Sequence, residues 1–335
     1  MAESGYSPMP WHQQQWQQLQ QSLNQGRLSH ALLLCGPPGL GKQQFALSFA
    51  QSLLCSNPSE SGQACGTCQH CHLIQAGNHP DLQWVGPEEG SKSGEIKIES
   101  IRALTSSAAL TAHSAKYKMI GIQPAHRMTN GAANSLLKTL EEPTSGTIIL
   151  LLTDQPARLL PTIRSRCQSV LFHPPQRSQA LEWLSGKVEH GDPALLLGLA
   201  NGAPLKALAL NDKTLLESRS EMLNQFLALS DQRLDPVKLA GIWQKFDYKL
   251  LIEWLIGWVI DIQRLKVSSS SGPALSNPDR AQALQKTADK LNSRAIQSYL
   301  KKLYAVRALT DSNINLQLTL ERLLIEWQTC SRQGA

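Results

Sequence analysis

Apolar positions recur at different spacings in the two parts of this chain. Trp16, Leu19 and Leu23 share one face of a Gln-rich stretch over residues 11–26, predicting an amphipathic helix that Gly26 ends. HALLLCG (30–36) is short, apolar and closed by glycine, as a buried strand would be. KQQFALSFAQSLLC (42–55) predicts a helix, with Phe45, Leu47, Phe49, Leu53 and Leu54 as its apolar positions. Residues 56–80 are rich in Ser, Gly, Cys and His. A strand is predicted at DLQWVGP (81–87), a helix over 98–112, a strand at KYKMIGIQ (116–123) and a helix over 130–143 that Pro143 stops. TIILLLTD (147–154) is the most apolar run and predicts a central parallel strand. LLPTIRSRC and SVLF add a short helix and another strand. Strands alternating with helices predict a doubly wound α/β domain ending near residue 173.

Beyond HPPQ the periodicity turns helical and strand signals become few. Asn201-Gly202 predicts a turn between two helices. LLIEWLIGWVIDIQRL (250–265) is apolar nearly all round and predicts a buried core helix. SSSSGPALSNP (268–278) predicts a flexible loop.

A chain of 335 residues suggests two or three domains, with ample core to fold without staples. A net charge of +6 permits contact with nucleic acid without arguing for it; ordinary surface charge explains it. The first residues show no basic segment followed by an apolar run, and no window reaches about 18 uninterrupted apolar residues. Neither a signal peptide nor a membrane span is expected, so a cytoplasmic location is the default.

Four of the seven cysteines, Cys55, Cys65, Cys68 and Cys71, lie close together; in a reducing compartment that favours metal over disulfides. C-x2-C pairs suit zinc because a tight turn aims both sulfurs at one ion. Four thiolates close a tetrahedral shell, so the site would be structural. An iron–sulfur cluster is the main rival, and four free cysteines in a loop the plain alternative. His70 and His72 are possible substitute ligands, though both are expected to face solvent.

GPPGLGKQ (36–43) is nearly a phosphate-binding loop, in the required context of strand, loop and helix. Gly36, Gly39, Gly41 and Lys42 preserve the cradle for the phosphates of ATP or ADP. Gln43 stands where Ser or Thr would hold Mg²⁺. Hydrolysis also needs acids at the end of a neighbouring strand. The 116–123 strand ends in Gln123-Pro124, and no Asp or Glu occurs between Glu99 and Glu141. With two parts missing, the loop reads as a structural relic or as a nucleotide site without turnover.

Together these residues resemble the clamp-loader branch of the AAA+ family. NSLLKTLEEP (134–143) is similar to a segment shared by bacterial clamp-loader subunits, and SRC (165–167) to their arginine-finger motif. The four-cysteine module resembles the one inserted in the same subunits; GRLSHALLLCGPPGLGK and NHPD (78–81) also fit. The likeness is specific over about the first 210 residues; beyond, it rests on helical character and on INLQLTLERLL (314–324), which looks like an oligomerising collar. The lost hydroxyl and acids resemble the branch's non-hydrolysing subunit rather than its motor.

The resemblance implies an α/β AAA+ (P-loop NTPase-like) domain with a parallel sheet over 1–173 and an inserted four-cysteine zinc module at 55–71. A helical lid domain would follow over 174–212 and a helical collar domain over 213–335. Arg166 would act in trans as the finger on a neighbouring motor subunit's ATP, where such a residue is worth about 10³–10⁵ in rate. Without the resemblance, Arg166 would read as one half of a surface ion pair. Thr153 or Asp154 stands where the family senses nucleotide, and Leu205, beside Lys206, replaces the second sensor arginine. Implied partners are motor subunits and a delta-like clamp-opening subunit in a five-membered ring, with primed DNA and a sliding clamp met through the complex. The rival readings are an independent AAA+ ATPase and a zinc-dependent nucleic-acid-binding module. Against the second, residues 55–72 contain no Lys or Arg.

Overall fold

Five apolar runs pair into one parallel sheet in the computed structural model, which describes residues 7–91, 93–108, 115–231, 233–268, 275–309 and 315–332. The chain divides into two units, Met1–Pro175 and Gln176–Ala335.

The first unit runs α1 (Gln13–Asn24), β1 (Ala31–Cys35), α2 (Lys42–Leu54), α3 (Gln69–Gln75), β2 (Leu82–Val85), α4 (Ile98–Ala108), β3 (Lys118–Ile122), α5 (Asn130–Glu141), β4 (Thr147–Thr153), α6 (Pro161–Arg164) and β5 (Gln168–Leu171). The strand order is β2-β3-β4-β1-β5. β4 lies in the middle, as its composition demands. All seven of its residues are buried, and only a strand covered on both faces can be apolar at nearly every position. Ile149 pairs with Ala31 on one side and Ile120 on the other. Each fully buried Leu or Ile here contributes roughly 1.5–3 kcal/mol. The edge strands, β2 and β5, are four residues each and only partly covered. Gly121 sits in mid-strand because a Cβ there would lie 2.1 Å from the Trp84 ring.

The predicted first helix is α1, with Trp16 and Leu19 buried. Trp16 meets Phe45 and Phe49 of α2 edge to face at 5.9 and 6.1 Å. The Gln15 amide donates to the Leu171 carbonyl on β5 at 2.8 Å. α3 lies where the sequence indicated no element: Cys71 and Ile74 turn inward on a two-turn helix that starts directly after Cys68. The helix predicted over 98–112 is present to Ala108, and its last positions fall outside the described residues.

The second unit is helical: α7 (Arg177–Leu184), α8 (Pro193–Leu199), α9 (Pro204–Ala209), α10 (Lys213–Ser230), α11 (Pro236–Trp243), α12 (Tyr248–Val267), α13 (Ala281–Lys290), α14 (Ser293–Ala308) and α15 (Leu316–Arg332). α7, α8 and α9 share a small core of Ala180, Leu184, Leu196, Leu197 and Ala207. The predicted turn between α8 and α9 has Asn201 and Gly202 at φ 52° and 81°, the left-handed region both tolerate. A larger core gathers Phe226, Trp243, Trp258, Tyr299 and Trp327. α12 is buried in it, as its all-round apolarity predicts. The loop predicted as flexible falls largely outside the described residues, but its end is fastened. The buried Asp261 carboxylate accepts from Ser276 N, Asn277 N and the Asn277 amide, and Asn277 and Asp279 hold the buried Arg219. Among the described residues no helix is long and apolar enough to cross a membrane.

Candidate functional site

The loop between β1 and α2 turns on Gly39 and Gly41, both left-handed at φ 79° and 84°, conformations in which a side chain would be strained. Gly36 is required by space instead: a Cβ there would lie 2.4 Å from the Phe172 carbonyl oxygen. Lys42 opens α2 and folds back on this loop. Its ammonium donates to the carbonyls of Gly36 and Pro37 at 2.6 and 2.7 Å, so the loop's own oxygens satisfy the charge. Burial lowers the lysine's pKa, and the Asp154 carboxylate works against that. Gln43, at the position of the Mg²⁺-binding hydroxyl, is exposed.

A clasp that sequence reasoning missed holds the loop from the N-terminal side. The Leu40 carbonyl accepts from Trp11 Nε1 at 2.9 Å and from His12 Nε2 at 2.7 Å. His12 Nδ1 accepts from Met9 N at 3.2 Å, so the proton sits on Nε2 and the ring is neutral. Phe45 and Phe172 meet this ring edge to face at 5.3 and 5.1 Å. Burial depresses the His12 pKa to about 4.

At the end of β4, His126 Nδ1 lies 3.0 Å from the Thr153 hydroxyl and 3.3 Å from an Asp154 carboxylate oxygen. Thr153 stands beside the loop, its carbonyl accepting from Gly36 N at 3.3 Å, and a buried histidine packs on it and on Asp154. β3 brings no carboxylate to this end of the sheet; it runs into Gln123 and Pro124. Leu205 and Lys206 lie on α9, where Lys206 pairs with Glu253.

Arg166 follows α6 on the turn into β5. Its Nη1 donates to the Thr162 carbonyl at 3.0 Å, and its Nη2 lies 2.5 Å from Glu141 Oε1 at the end of α5. The side chain is 36% exposed, so it forms a surface ion pair within the chain and still presents its guanidinium to solvent.

The four clustered cysteines come together. Their sulfurs all lie within 4.8 Å of one another, with Cys55 at 3.5 Å from Cys65 and 3.9 Å from Cys68. A tetrahedral ion with bonds of about 2.3 Å sets its sulfurs about 3.8 Å apart, so this group could hold a metal ion. N–H groups are already aimed at the sulfurs: Cys65 N at Cys55 Sγ (3.3 Å) and Cys68 N at Cys65 Sγ (3.4 Å). Backbone and hydroxyl donation from Thr67, with help from Cys68 N–H, lowers the Cys65 thiol to about 6. Burial pushes Cys71 up to about 12. A dication held there would stabilise all four as thiolates.

The adjacent histidines are not all turned to solvent as expected. His72 is exposed, but His70 Nδ1 meets the buried His79 Nε2 at 2.8 Å. Asp81 N donates to His79 Nδ1, so His79 carries its proton on Nε2 and gives it to His70. Asp81 in turn accepts from Ala115 N and Met119 N, which ties the module to the sheet. The NHPD segment is therefore the module's anchor.

A parallel sheet in this order, with a glycine loop after β1 and helices packed around it, is an α/β fold of the P-loop NTPase-like kind, followed by a helical region. The family profile described as DNA polymerase III, delta subunit matches residues 11–176, and its C-terminal counterpart matches 213–329. A Pseudomonas aeruginosa protein named DNA polymerase III subunit delta' is 35% identical over 332 residues, covering 97% of this chain and 98% of the relative. The Escherichia coli protein of that name is 32% identical over 320 residues, covering 94% of each. Among solved structures, a DNA polymerase III gamma subunit-related protein from Thermotoga maritima is similar, at 19% identity and a TM-score of 0.48. That likeness covers 95% of this chain and all 100% of the other. The chain belongs to the delta' family of DNA polymerase III subunits.

Proposed function

We propose that this chain is the non-hydrolysing, delta-prime-like subunit of a cytoplasmic DNA polymerase III clamp loader. It joins motor subunits and a delta-like clamp-opening subunit in a five-membered ring. Its residues 174–212 form the lid and 213–335 the collar through which the ring closes, and the C-terminal family match beginning at residue 213 supports that division. Through the complex it meets the sliding clamp and primed DNA. Arg166 is the arginine finger, extended in trans to the γ-phosphate of ATP on the neighbouring motor. Zn²⁺ in the Cys55, Cys65, Cys68 and Cys71 shell is structural.

One observation carries the reading. The phosphate loop keeps its glycines and its lysine, yet it has no hydroxyl at Gln43 and no carboxylate on β3, while the SRC arginine is exposed. A motor needs the lost groups; a finger donor does not. Whether ATP or ADP enters the loop is secondary, because Gln43, next to Lys42, does not supply the Mg²⁺-binding hydroxyl. The cysteine segment, with no Lys or Arg over 55–72, speaks against a separate nucleic-acid module.

The test is ATP turnover by the purified chain alone in Mg²⁺, beside Lys42→Ala. No turnover above that control is expected; turnover that Lys42→Ala abolishes overturns the proposal. In the reconstituted complex, Arg166→Ala is expected to lower hydrolysis at the site it faces by ~10³-fold or more.

A further inference from the structure

We propose that Glu141 is a positioning residue that aims Arg166 at the phosphate it meets. This rests on the reading of Arg166 as a finger acting in trans. Two separate elements hold the guanidinium: the Thr162 carbonyl takes Nη1 at 3.0 Å, and Glu141 takes Nη2 at 2.5 Å. A carbonyl on one nitrogen and a carboxylate on the other fix the plane of the group, not just its location. Donors remain for a phosphate oxygen, and the side chain keeps 36% of its surface open to receive one.

Glu141 is otherwise badly placed. It is the last residue of α5, whose C-terminal carbonyls make that end electronegative and unfavourable for a carboxylate. Helix stability does not account for it, and an ion pair this exposed, with Glu141 at 49%, adds little to folding. The arginine accounts for it. An unheld arginine spreads over many rotamers, and an incoming phosphate must then select one. Holding it beforehand removes that cost from the transition state.

The experiment uses the full reconstituted complex, with ATP turnover measured for Glu141→Ala, Glu141→Gln, Arg166→Ala and the double variant Glu141→Ala with Arg166→Ala. Losing half to all of an arginine's rotamer restriction predicts a fall in kcat of about 5- to 30-fold at the facing site for Glu141→Ala, with KM for ATP nearly unchanged. Glu141→Gln, whose amide oxygen still accepts from Nη2, is expected to recover most of the rate. In the Arg166→Ala background, Glu141→Ala is expected to add nothing. Assembly, read by size, stays constant across the set. Wild-type kcat in Glu141→Ala overturns the proposal, as does a raised kcat, which would mean that the carboxylate masks the finger. A further loss in the double variant also overturns it. If Arg166→Ala itself leaves turnover intact, the finger reading falls and this inference falls with it. If Arg166→Ala silences the site and Glu141→Ala does not, only this inference falls.

Discussion

Acidification should loosen the clasp on the phosphate loop, and the size of the effect follows from one ring. His12 is fully buried, neutral, and held at a pKa of about 4 against an ordinary value of 6.5. Between those two values the unfolded chain binds the proton and the folded chain does not. His12 therefore contributes fully to stability above pH 6.5, and its contribution falls away as the pH drops toward 4. Each unit of difference is worth about 1.4 kcal/mol, so moving from pH 7 to about pH 4.5 should cost roughly 2 kcal/mol through this residue alone. The assay is urea unfolding followed by far-UV circular dichroism at both pH values, for the native chain and for His12→Gln. Gln keeps a donor for the Leu40 carbonyl but does not titrate. At pH 7 the variant should be the weaker, having lost the edge-to-face contacts with Phe45 and Phe172. By about pH 4.5 the gap should close or reverse. Other titrating groups, the cysteine shell included, are common to both proteins and cancel in the difference. If the two stabilities fall in parallel with pH, His12 is not held neutral and the tautomer argument is wrong.

Zinc content measured by atomic emission should be one ion per chain, and Cys65→Ser or Cys71→Ser should abolish it while Cys330→Ser leaves it intact. Losing the ion removes on the order of 10 kcal/mol of local ordering, readable as faster amide exchange in α3. Gly121→Ala drives a methyl into the Trp84 ring and should lower the urea midpoint by an amount worth about 1–3 kcal/mol; an unchanged midpoint means the ring swings away freely. Trp327→Ala removes a fully buried indole stacked on Phe226 at 4.3 Å and should cost about 3–5 kcal/mol in the same assay, with a loss under about 1 kcal/mol refuting the packing account.

The sheet was legible because its signal is local. Five short apolar runs announce five strands, and the most apolar of them, TIILLLT, marks the strand in the centre. The glycine loop and the C-x2-C spacing are legible for the same reason: neighbours in sequence do the chemistry together. What stayed hidden are polar pairings between distant residues. His12 and Leu40 are 28 apart, Arg219 and Asn277 are 58 apart, and no period links them. Glu141 is read from the sequence only as part of a family segment; its tie to Arg166 exists only once α5 and α6 are folded. α3 was missed because seven residues carry too few apolar positions to show a period, and its cysteine and histidines suggest ligands before they suggest a helix.

The two edges of the sheet have a consequence for how copies of this domain behave at high concentration. An unpaired strand edge is a template that any other chain can extend, and long flat edges are how sheets recruit one another into fibrils. Here each edge is a four-residue strand, about 13 Å of backbone, and on β5 the Leu171 carbonyl is already taken by Gln15 from α1. A foreign strand finds a short run with one of its rungs occupied. Strand addition is thus a poor route between copies, and concentrated preparations should resist dye-binding, fibrillar aggregation while α1 stays docked.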